Sequence, residues 1–385
     1  MWGLFCECTL TLPDERKEND GLFVDNGRVE PHIYEVSCLA YCGVMYDNQD
    51  QTIIVTGESG SGKTETVNSL LEHLVTLECL GPGENATIPG FDYDVINKLI
   101  ESSVVLEAFG NAKTRRNSNS SRFGKLMQLQ FANDTDYGRS SIPSCSLVGS
   151  SCTTYLLEKT RVTFHSVGER SFHIFYQLLA APSELKRAVW PSFESSRPTE
   201  FSYLAQFGER SLESLDDANQ WNRTETALRV FGIVGEDLKT LLRAIAIVLQ
   251  MGNLKFENEQ TASGEWAAAV TTKEELLKLS DMIGIHTEEL VKVLTTRVIK
   301  TKSEEIQAPL QAALAKESAN ALAMEIYDKI FSFIVRRMND QMRLCRDKVS
   351  GTLSEISLVD IYGFERLAVN RFEQVCKRSW QYSSL

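Results

Sequence analysis

At 385 residues the chain is long enough to bury one large core or two ordinary ones. Hydrophobic residues make up 43% of it and charged residues 24%, which is the balance of an ordinary soluble protein. The net charge of −12 argues against binding to nucleic acid or to an anionic membrane surface, so we expect neither partner. No uninterrupted apolar stretch is long enough to span a bilayer.

The beginning of the chain carries little periodic pattern, and we describe residues 1–30 as an unassigned N-terminal arm. It has neither a basic leader nor a convincing cleavage site, so we expect a cytoplasmic protein rather than a secreted one. The nine cysteines contain no pair of Cys-x-x-Cys units, and they predict neither a zinc ribbon nor a disulfide framework.

The first regular elements come after residue 31. Apolar residues at helical spacing predict a helix at 32–45. Ile53–Val55 is a short apolar run rich in β-branched residues, which predicts a buried strand. Apolar residues then recur at helical spacing from Val67 to Val75, which predicts a second helix.

Between that strand and that helix lies Gly57–Thr64, GESGSGKT, which fits the phosphate-loop pattern G-x-x-x-x-G-K-[ST] at every fixed position. The glycines let the backbone turn its N–H groups toward phosphate oxygens, and the helix N-terminus adds its positive dipole end. Lys63 would reach the β- and γ-phosphates, while the Thr64 hydroxyl would bind Mg²⁺. A glycine-rich turn with an incidental lysine is the alternative, but the strand–loop–helix context favours a nucleoside triphosphate.

The rest of the chain is mostly helical in pattern, with strands in the middle and near the end. Helical spacing of apolar residues predicts helices at 93–109, 171–181, 237–249, 274–294 and 311–342. Alternation and β-branched residues predict strands at 126–131, 154–158, 161–164 and 356–361. The Ser- and Gly-rich stretch 133–151 predicts a long turn region.

Two further polar stretches carry residues suited to phosphate chemistry. Asn111–Lys125, NAKTRRNSNSSRFGK, offers amides, three serines and arginines in a short loop. Val359–Glu365, VDIYGFE, ends a strand with an aspartate, followed by a glycine and a glutamate. A strand-end carboxylate suits a direct or water-mediated Mg²⁺ contact, and a glycine N–H can reach a γ-phosphate. Arg122 and Glu365 have opposite charges and would lock the two stretches together around a nucleotide.

In combination these stretches resemble the myosin motor domain, with GESGSGKTE as its phosphate loop, AFGNAKTRRNSNSSRFGK as switch I and DIYGFE as switch II. The resemblance covers roughly residues 31–376, so we treat 31–385 as a partial motor domain. It implies an α/β phosphate-loop NTPase fold in which helices flank a mostly parallel or mixed central sheet. Kinesins fit less well because their second switch reads DLAGSE, and GTPases need an Asn-Lys-x-Asp guanine reader. ATP is therefore the nucleotide that we expect.

The resemblance also implies which residues bind ATP and Mg²⁺. Those that would hold the phosphates are Gly57, Glu58, Ser59, Gly60, Ser61, Gly62, Lys63, Thr64 and Asn117. Thr64 and Ser121 would be the protein ligands of Mg²⁺. Asp360 would lie in the outer coordination sphere of the metal.

Four residues are implied to act at the γ-phosphate during hydrolysis. Ser120 would hydrogen-bond the γ-phosphate or help to position the attacking water. Arg122 and Glu365 would form the ion pair that closes the site, and Glu365 would also orient that water. Gly363 would offer its N–H to the γ-phosphate when switch II is closed.

The activity implied for the family is Mg²⁺-dependent, actin-activated ATP hydrolysis coupled to movement. The chain ends twenty residues after Glu365, so we expect it to lack the actin-binding lower subdomain, the converter and the lever arm. Three hypotheses stay open: a piece of a longer myosin, a short non-motile nucleotide-binding or interaction module, or an unstable remnant with exposed apolar surface.

Overall fold

The computed structural model describes residues 7–10, 32–58, 60–79, 93–134, 144–205, 216–261, 264–300, 305–343 and 352–360. These residues pack into two units. The first takes its described residues from 1–106, 120–157 and 335–385, and the second from 107–119 and 158–334.

Strands and helices follow one another in both units. The strands are β1 (Glu7–Leu10), β2 (Gln51–Thr56), β3 (Asn111–Ala112), β4 (Ser120–Ser121), β5 (Gly124–Asp134), β6 (Ser144–Tyr155), β7 (Phe256–Gln260), β8 (Trp266–Val270), β9 (Thr296–Lys300), β10 (Glu305–Pro309) and β11 (Thr352–Asp360). The helices are α1 (Ile33–Asp47), α2 (Lys63–Cys79), α3 (Tyr93–Gly110), α4 (His173–Ala180), α5 (Ser183–Val189), α6 (Asp217–Val230), α7 (Gly235–Gly252), α8 (Lys273–Ile283), α9 (Thr287–Thr295) and α10 (Ala312–Met342).

The first unit is built on a mixed sheet with the strand order β1-β2-β11-β5-β6. β2 and β11 are parallel, whereas β1 is antiparallel to β2, β5 to β11 and β6 to β5. Of the two arrangements expected from the resemblance, the described strands therefore form the mixed one. β11 and β2 run in register from Ile356 opposite Gln51 to Asp360 opposite Val55, so both strands end at the same edge of the sheet.

Helices cover this sheet through apolar faces. Ala40 and Val44 on α1 and Leu70 and Leu74 on α2 are all buried, and each pair has the spacing of one helical turn. The last turns of α10 dock on β6 through Asn339. Its amide accepts a hydrogen bond from the Cys152 N–H and donates one to the Cys152 carbonyl, both at 2.8 Å.

The second unit is mainly helical and has two β-hairpins, β7–β8 and β9–β10. Phe172 and Phe175 lie against Tyr327, with ring centroids 4.9 and 5.1 Å apart. Beside them Arg170 forms a bidentate ion pair with Asp217, at 2.6 and 3.2 Å. A buried guanidinium is tolerated here because its charge is paired in the geometry that matches a carboxylate.

Most predicted elements are confirmed within four residues at their ends, but four predictions are wrong. The strand predicted at 154–158 contains only the last two residues of β6, because β6 ends at Tyr155 and residues 156–158 belong to no strand. Much of the stretch 133–151, predicted as turn, belongs to β5 and β6, because the two strands pair along their whole length. The strand predicted at 161–164 is instead a 3-10 turn at Lys159–Val162. The helix predicted at 274–294 is two helices, α8 and α9. The first ends because Gly284 adopts the left-handed conformation, with φ +80°.

The arm predicted to lack pattern contains β1, which pairs with β2 at the edge of the described sheet. Four residues are too few for sequence alternation to reveal such a strand. Within the described ranges, no helix is both long enough and apolar enough to cross a bilayer.

Candidate functional site

The predicted phosphate loop lies between the end of β2 and the start of α2, at the edge of the sheet where the parallel strands end. Asp360, the last residue of β11, is the register partner of Val55, which precedes Gly57 by two residues. The carboxyl ends of parallel strands are where ligands bind in open α/β sheets. The fold therefore brings the strand-end aspartate and the loop to one place, although about 300 residues separate them in sequence.

Glycine is required by the backbone at two positions of this loop. Gly60 and Gly62 have φ angles of +83° and +88°, a conformation that residues with a Cβ rarely adopt. A Cβ at Gly62 would meet no atom within 4 Å, so the requirement there is conformational rather than steric. The turn is closed by the Ser61 N–H, which donates to the Glu58 carbonyl at 3.2 Å.

Lys63 is buried, with 7% of its surface exposed, and its ammonium group is held against the backbone of its own loop. Nζ donates to the Gly57 carbonyl at 2.9 Å and to the Glu58 carbonyl at 2.7 Å. These charge-assisted hydrogen bonds fix the cation at the loop, where a phosphate group would lie.

Thr64 is bonded to Asp360, and this contact joins the start of α2 to the end of β11. The Thr64 hydroxyl donates to Asp360 Oδ2 at 3.3 Å. Asp360 is only 5% exposed, and burial raises the pKa of its carboxyl above the ordinary value. The positive charges of Lys125 and Lys63 and the hydrogen bond from Thr64 oppose that rise.

Lys125 also lies at this site, although no role was predicted for it from the sequence. It is the register partner of Asp360 at the start of β5 and is 6% exposed. A signal was present, because Lys125 is in phase with the buried residues Met127, Leu129 and Phe131 of the alternating strand. A lysine on the buried face of a strand indicates a carboxylate partner.

Switch I contributes three predicted residues to the first unit, and each forms a hydrogen bond to another residue of switch I. Ser120 and Arg122 are both 4% exposed, and Arg122 Nη1 donates to Ser120 Oγ at 3.0 Å. The Ser121 hydroxyl donates to the Phe123 carbonyl at 2.7 Å. The arginine thus holds the serine that is expected to act at the γ-phosphate.

Asn117, also predicted to touch phosphate, belongs to the second unit. Its side-chain oxygen accepts from the Asn119 N–H at 2.9 Å, and its carbonyl accepts from the Thr114 N–H at 2.8 Å. Ser59, Gly363 and Glu365 lie outside the described residues. The ion pair between Arg122 and Glu365 and the N–H of Gly363 as a γ-phosphate sensor therefore stay predictions.

The residues at the loop fit a triphosphate with Mg²⁺. Ser61 Oγ is buried and has no hydrogen-bond partner in the part of the chain that is described, which leaves a polar atom for a ligand. The described ranges contain no cluster of three or more His, Cys, Asp or Glu side chains that would hold a metal ion. Thr64 and Asp360 offer one hydroxyl and one carboxylate, which suits Mg²⁺ because it takes few protein ligands beside substrate phosphates.

Comparison with known proteins gives a consistent result along nearly the whole chain. The family model of the myosin head (motor domain) matches residues 22–378. Unconventional myosin-Ia of Rattus norvegicus is 38% identical over 351 residues, which are 90% of this chain and 38% of that protein. Myosin-14 of Arabidopsis thaliana is 36% identical over 351 residues, covering 91% of this chain and 21% of the relative.

Unconventional myosin-XV of Homo sapiens is 34% identical over 353 residues, which are 91% of this chain and 9% of that protein. The chain thus spans well under half the length of each of these relatives. The match includes the phosphate loop, switch I and the strand that carries Asp360. We conclude that the chain belongs to the myosin head (motor domain) family.

Proposed function

We propose that this chain binds Mg·ATP at the loop between β2 and α2 and hydrolyses it, as the nucleotide-binding part of an actin-based motor. The observation that carries the proposal is the meeting of Lys63, Thr64 and Asp360 at one edge of the sheet. The hydrogen bond from Thr64 to Asp360 and the burial of Lys63 and Asp360 support it.

In this proposal Lys63 and the loop N–H groups bind the β- and γ-phosphates. Thr64 and Ser121 would be the protein ligands of Mg²⁺, and Asp360 would lie in its outer coordination sphere. The metal supplies positive charge that stabilises the phosphate oxygens. Hydrolysis then depends on positioning and charge stabilisation rather than on a covalent intermediate.

The residues assigned to the hydrolytic step are those of the two switches. Ser120 and Arg122 act beside the γ-phosphate, and their mutual hydrogen bond supports a shared position. Gly363 and Glu365 complete the site from switch II and orient the attacking water.

Nucleotide titration of the Lys63→Ala variant tests this proposal. We expect ATP affinity to fall by about 10- to 100-fold, the value of a charge-assisted hydrogen bond or two, and turnover to be lost with it. A fluorescent ATP analogue with and without Mg²⁺ measures the affinity, and phosphate release measures turnover. Glu72→Gln, on the exposed side of α2, is the matched control and should bind as wild type does. Equal affinity in wild type and Lys63→Ala would contradict the proposal.

On the same proposal, the motor binds the actin filament, and the protein acts in the cytoskeleton. Support comes from the family and from the named myosins that match the chain. Co-sedimentation with filaments, with and without ATP, checks whether these residues carry the contact. Release by ATP supports actin as the partner, whereas binding that ignores ATP counts against it.

A further inference from the structure

The side chain of Asn119, the residue directly before Ser120, is the centre of a hydrogen-bond network in the second unit. Its Oδ1 accepts from Asn111 Nδ2 at 3.0 Å and from His173 Nε2 at 3.2 Å. Its Nδ2 donates to Glu107 Oε2 at 3.1 Å. Both lone pairs of the amide oxygen are thereby used.

This arrangement has only one consistent orientation for the amide. If the Asn119 amide were turned over, its N–H groups would face the donors of Asn111 and His173, and its oxygen would face the Glu107 carboxylate. The contact therefore requires His173 to carry its proton on Nε2. Burial and the charge of Arg170 lower the pKa of His173 to about 4, so the ring is neutral and has a single N–H to give.

The first half of switch I is hydrogen-bonded along the segment that ends at His173. Ala112 forms an antiparallel bridge with Phe172. The Arg170 N–H donates to the Lys113 carbonyl at 2.9 Å, and Arg115 Nε donates to the Val167 carbonyl at 2.8 Å. His173 begins α4, and its bond to Asn119 is the last of this series along switch I.

We propose that His173 is a positioning residue for ATP hydrolysis, which acts through Asn119 to hold switch I where Ser120 and Arg122 can meet the γ-phosphate. The inference rests on the proposed function of the loop. Its physical basis is local, because Asn119 is covalently joined to Ser120 and His173 supplies one of the three hydrogen bonds that hold the Asn119 side chain.

A purely structural role for His173 is the competing explanation, and a neighbouring residue separates the two. Gln177 lies one turn further along α4, is also buried, and accepts a hydrogen bond from the Thr224 hydroxyl at 2.9 Å. Loss of that bond removes a buried contact of the same helix that does not involve switch I.

The experiment compares wild type with His173→Leu, His173→Gln and the control Gln177→Leu. His173→Gln keeps a side-chain N–H near the place of Nε2, whereas His173→Leu removes the donor. Amide hydrogen exchange of the peptide 107–119 is measured without nucleotide. ATP affinity and turnover are measured on the same samples, and thermal unfolding shows which variants fold.

We expect His173→Leu to exchange about tenfold faster in that peptide, because the network that closes it is broken. Turnover should fall by about tenfold while ATP affinity changes less than twofold. His173→Gln should restore both values toward wild type. Gln177→Leu should lower the unfolding temperature and leave the exchange and the turnover unchanged.

Besides wild-type turnover in His173→Leu, two results would overturn the inference. One is an equal loss of turnover in His173→Gln and His173→Leu, and the other is an equal gain of exchange in Gln177→Leu. Failure of the proposed function looks different, because wild type would then bind no ATP while the exchange of the peptide still depended on His173. If ATP binding depends on Lys63 but His173→Leu turns over ATP as fast as wild type, the inference fails while the proposed function stands.

Discussion

Asp360 and Lys125 are two buried residues of opposite charge in the candidate site. Each is less than a tenth exposed, and they are register partners on neighbouring strands. Burial disfavours the carboxylate, and the two nearby lysines keep the resulting rise in pKa in check. The burial of the Asp360 carboxylate thus has a cost in folding free energy, which the two lysines reduce.

Replacement of Lys125 by methionine should expose that cost. We expect Lys125→Met to lose about 1–3 kcal/mol of stability at pH 7.5, because Asp360 is left with less compensation for its burial. Without this cation the folded-state pKa of Asp360 rises further above its unfolded value. The penalty is then largest at high pH and shrinks as the pH falls and Asp360 becomes protonated in both states.

Urea unfolding at pH 7.5 and at pH 5 measures this difference. Lys273→Met, at an exposed position, controls for the loss of one positive charge and should be neutral at both values. A Lys125→Met penalty that grows on acidification would refute this account of Asp360.

Several residues of the candidate site could be identified from the sequence. Lys63 and Thr64 follow from the fixed positions of the loop pattern, and the aspartate at a strand end was expected beside them. The strand phase of Lys125 marked it as buried, but its partner lies on a strand more than 200 residues away in sequence. The hydrogen-bond network of Asn119 could not be predicted, because the orientation of its amide depends on two donors, Asn111 and His173, and one acceptor, Glu107, that lie on different elements.

Helix α10 packs on β6 through the Asn339 side chain, which takes the place of the hydrogen bonds that a neighbouring strand would form. Asn339 offers one acceptor and one donor, and both pair with the backbone of Cys152. An amide side chain can satisfy a strand in this way because its two polar atoms match the spacing of a peptide group. The contact leaves neither backbone group of Cys152 buried without a partner.

Asn339→Leu should therefore be costly, although it adds apolar surface. We expect a loss of about 1–3 kcal/mol, since the N–H and the carbonyl of Cys152 would both lose their partner. Chemical unfolding measures the loss, and hydrogen exchange of the β6 peptide locates it. Asp340→Asn, at the exposed neighbouring position, should behave as wild type. Wild-type stability in Asn339→Leu would show that the contact contributes nothing.

Helices were easier to predict than strands in this chain. Long apolar stripes at helical spacing located α7 and α10, because that pattern is local in sequence. All but the last two residues of β6 were missed, because its serines and glycines suit turns when read locally and only pairing with β5 makes them a strand. The break between α8 and α9 rests on the single backbone conformation of Gly284.

On the scale of the whole molecule, each unit draws on separate stretches of the chain. The described part of the first unit comes from three stretches and that of the second from two. The sequence predicted strands at 53–55, 126–131 and 356–361 but not their order in the sheet. Strand order depends on contacts across hundreds of residues, which no local pattern encodes.

The strand order also has a consequence for how the protein is made. β11 lies between β2 and β5, yet it leaves the ribosome about 220 residues after β5 and last of all described strands. Until then the central place in the sheet is empty, and the edges of β2 and β5 that flank it are open to other chains. The second unit takes most of its described residues from one continuous stretch and can pack during that delay. Slow translation or a shortage of chaperones should therefore harm the first unit before the second.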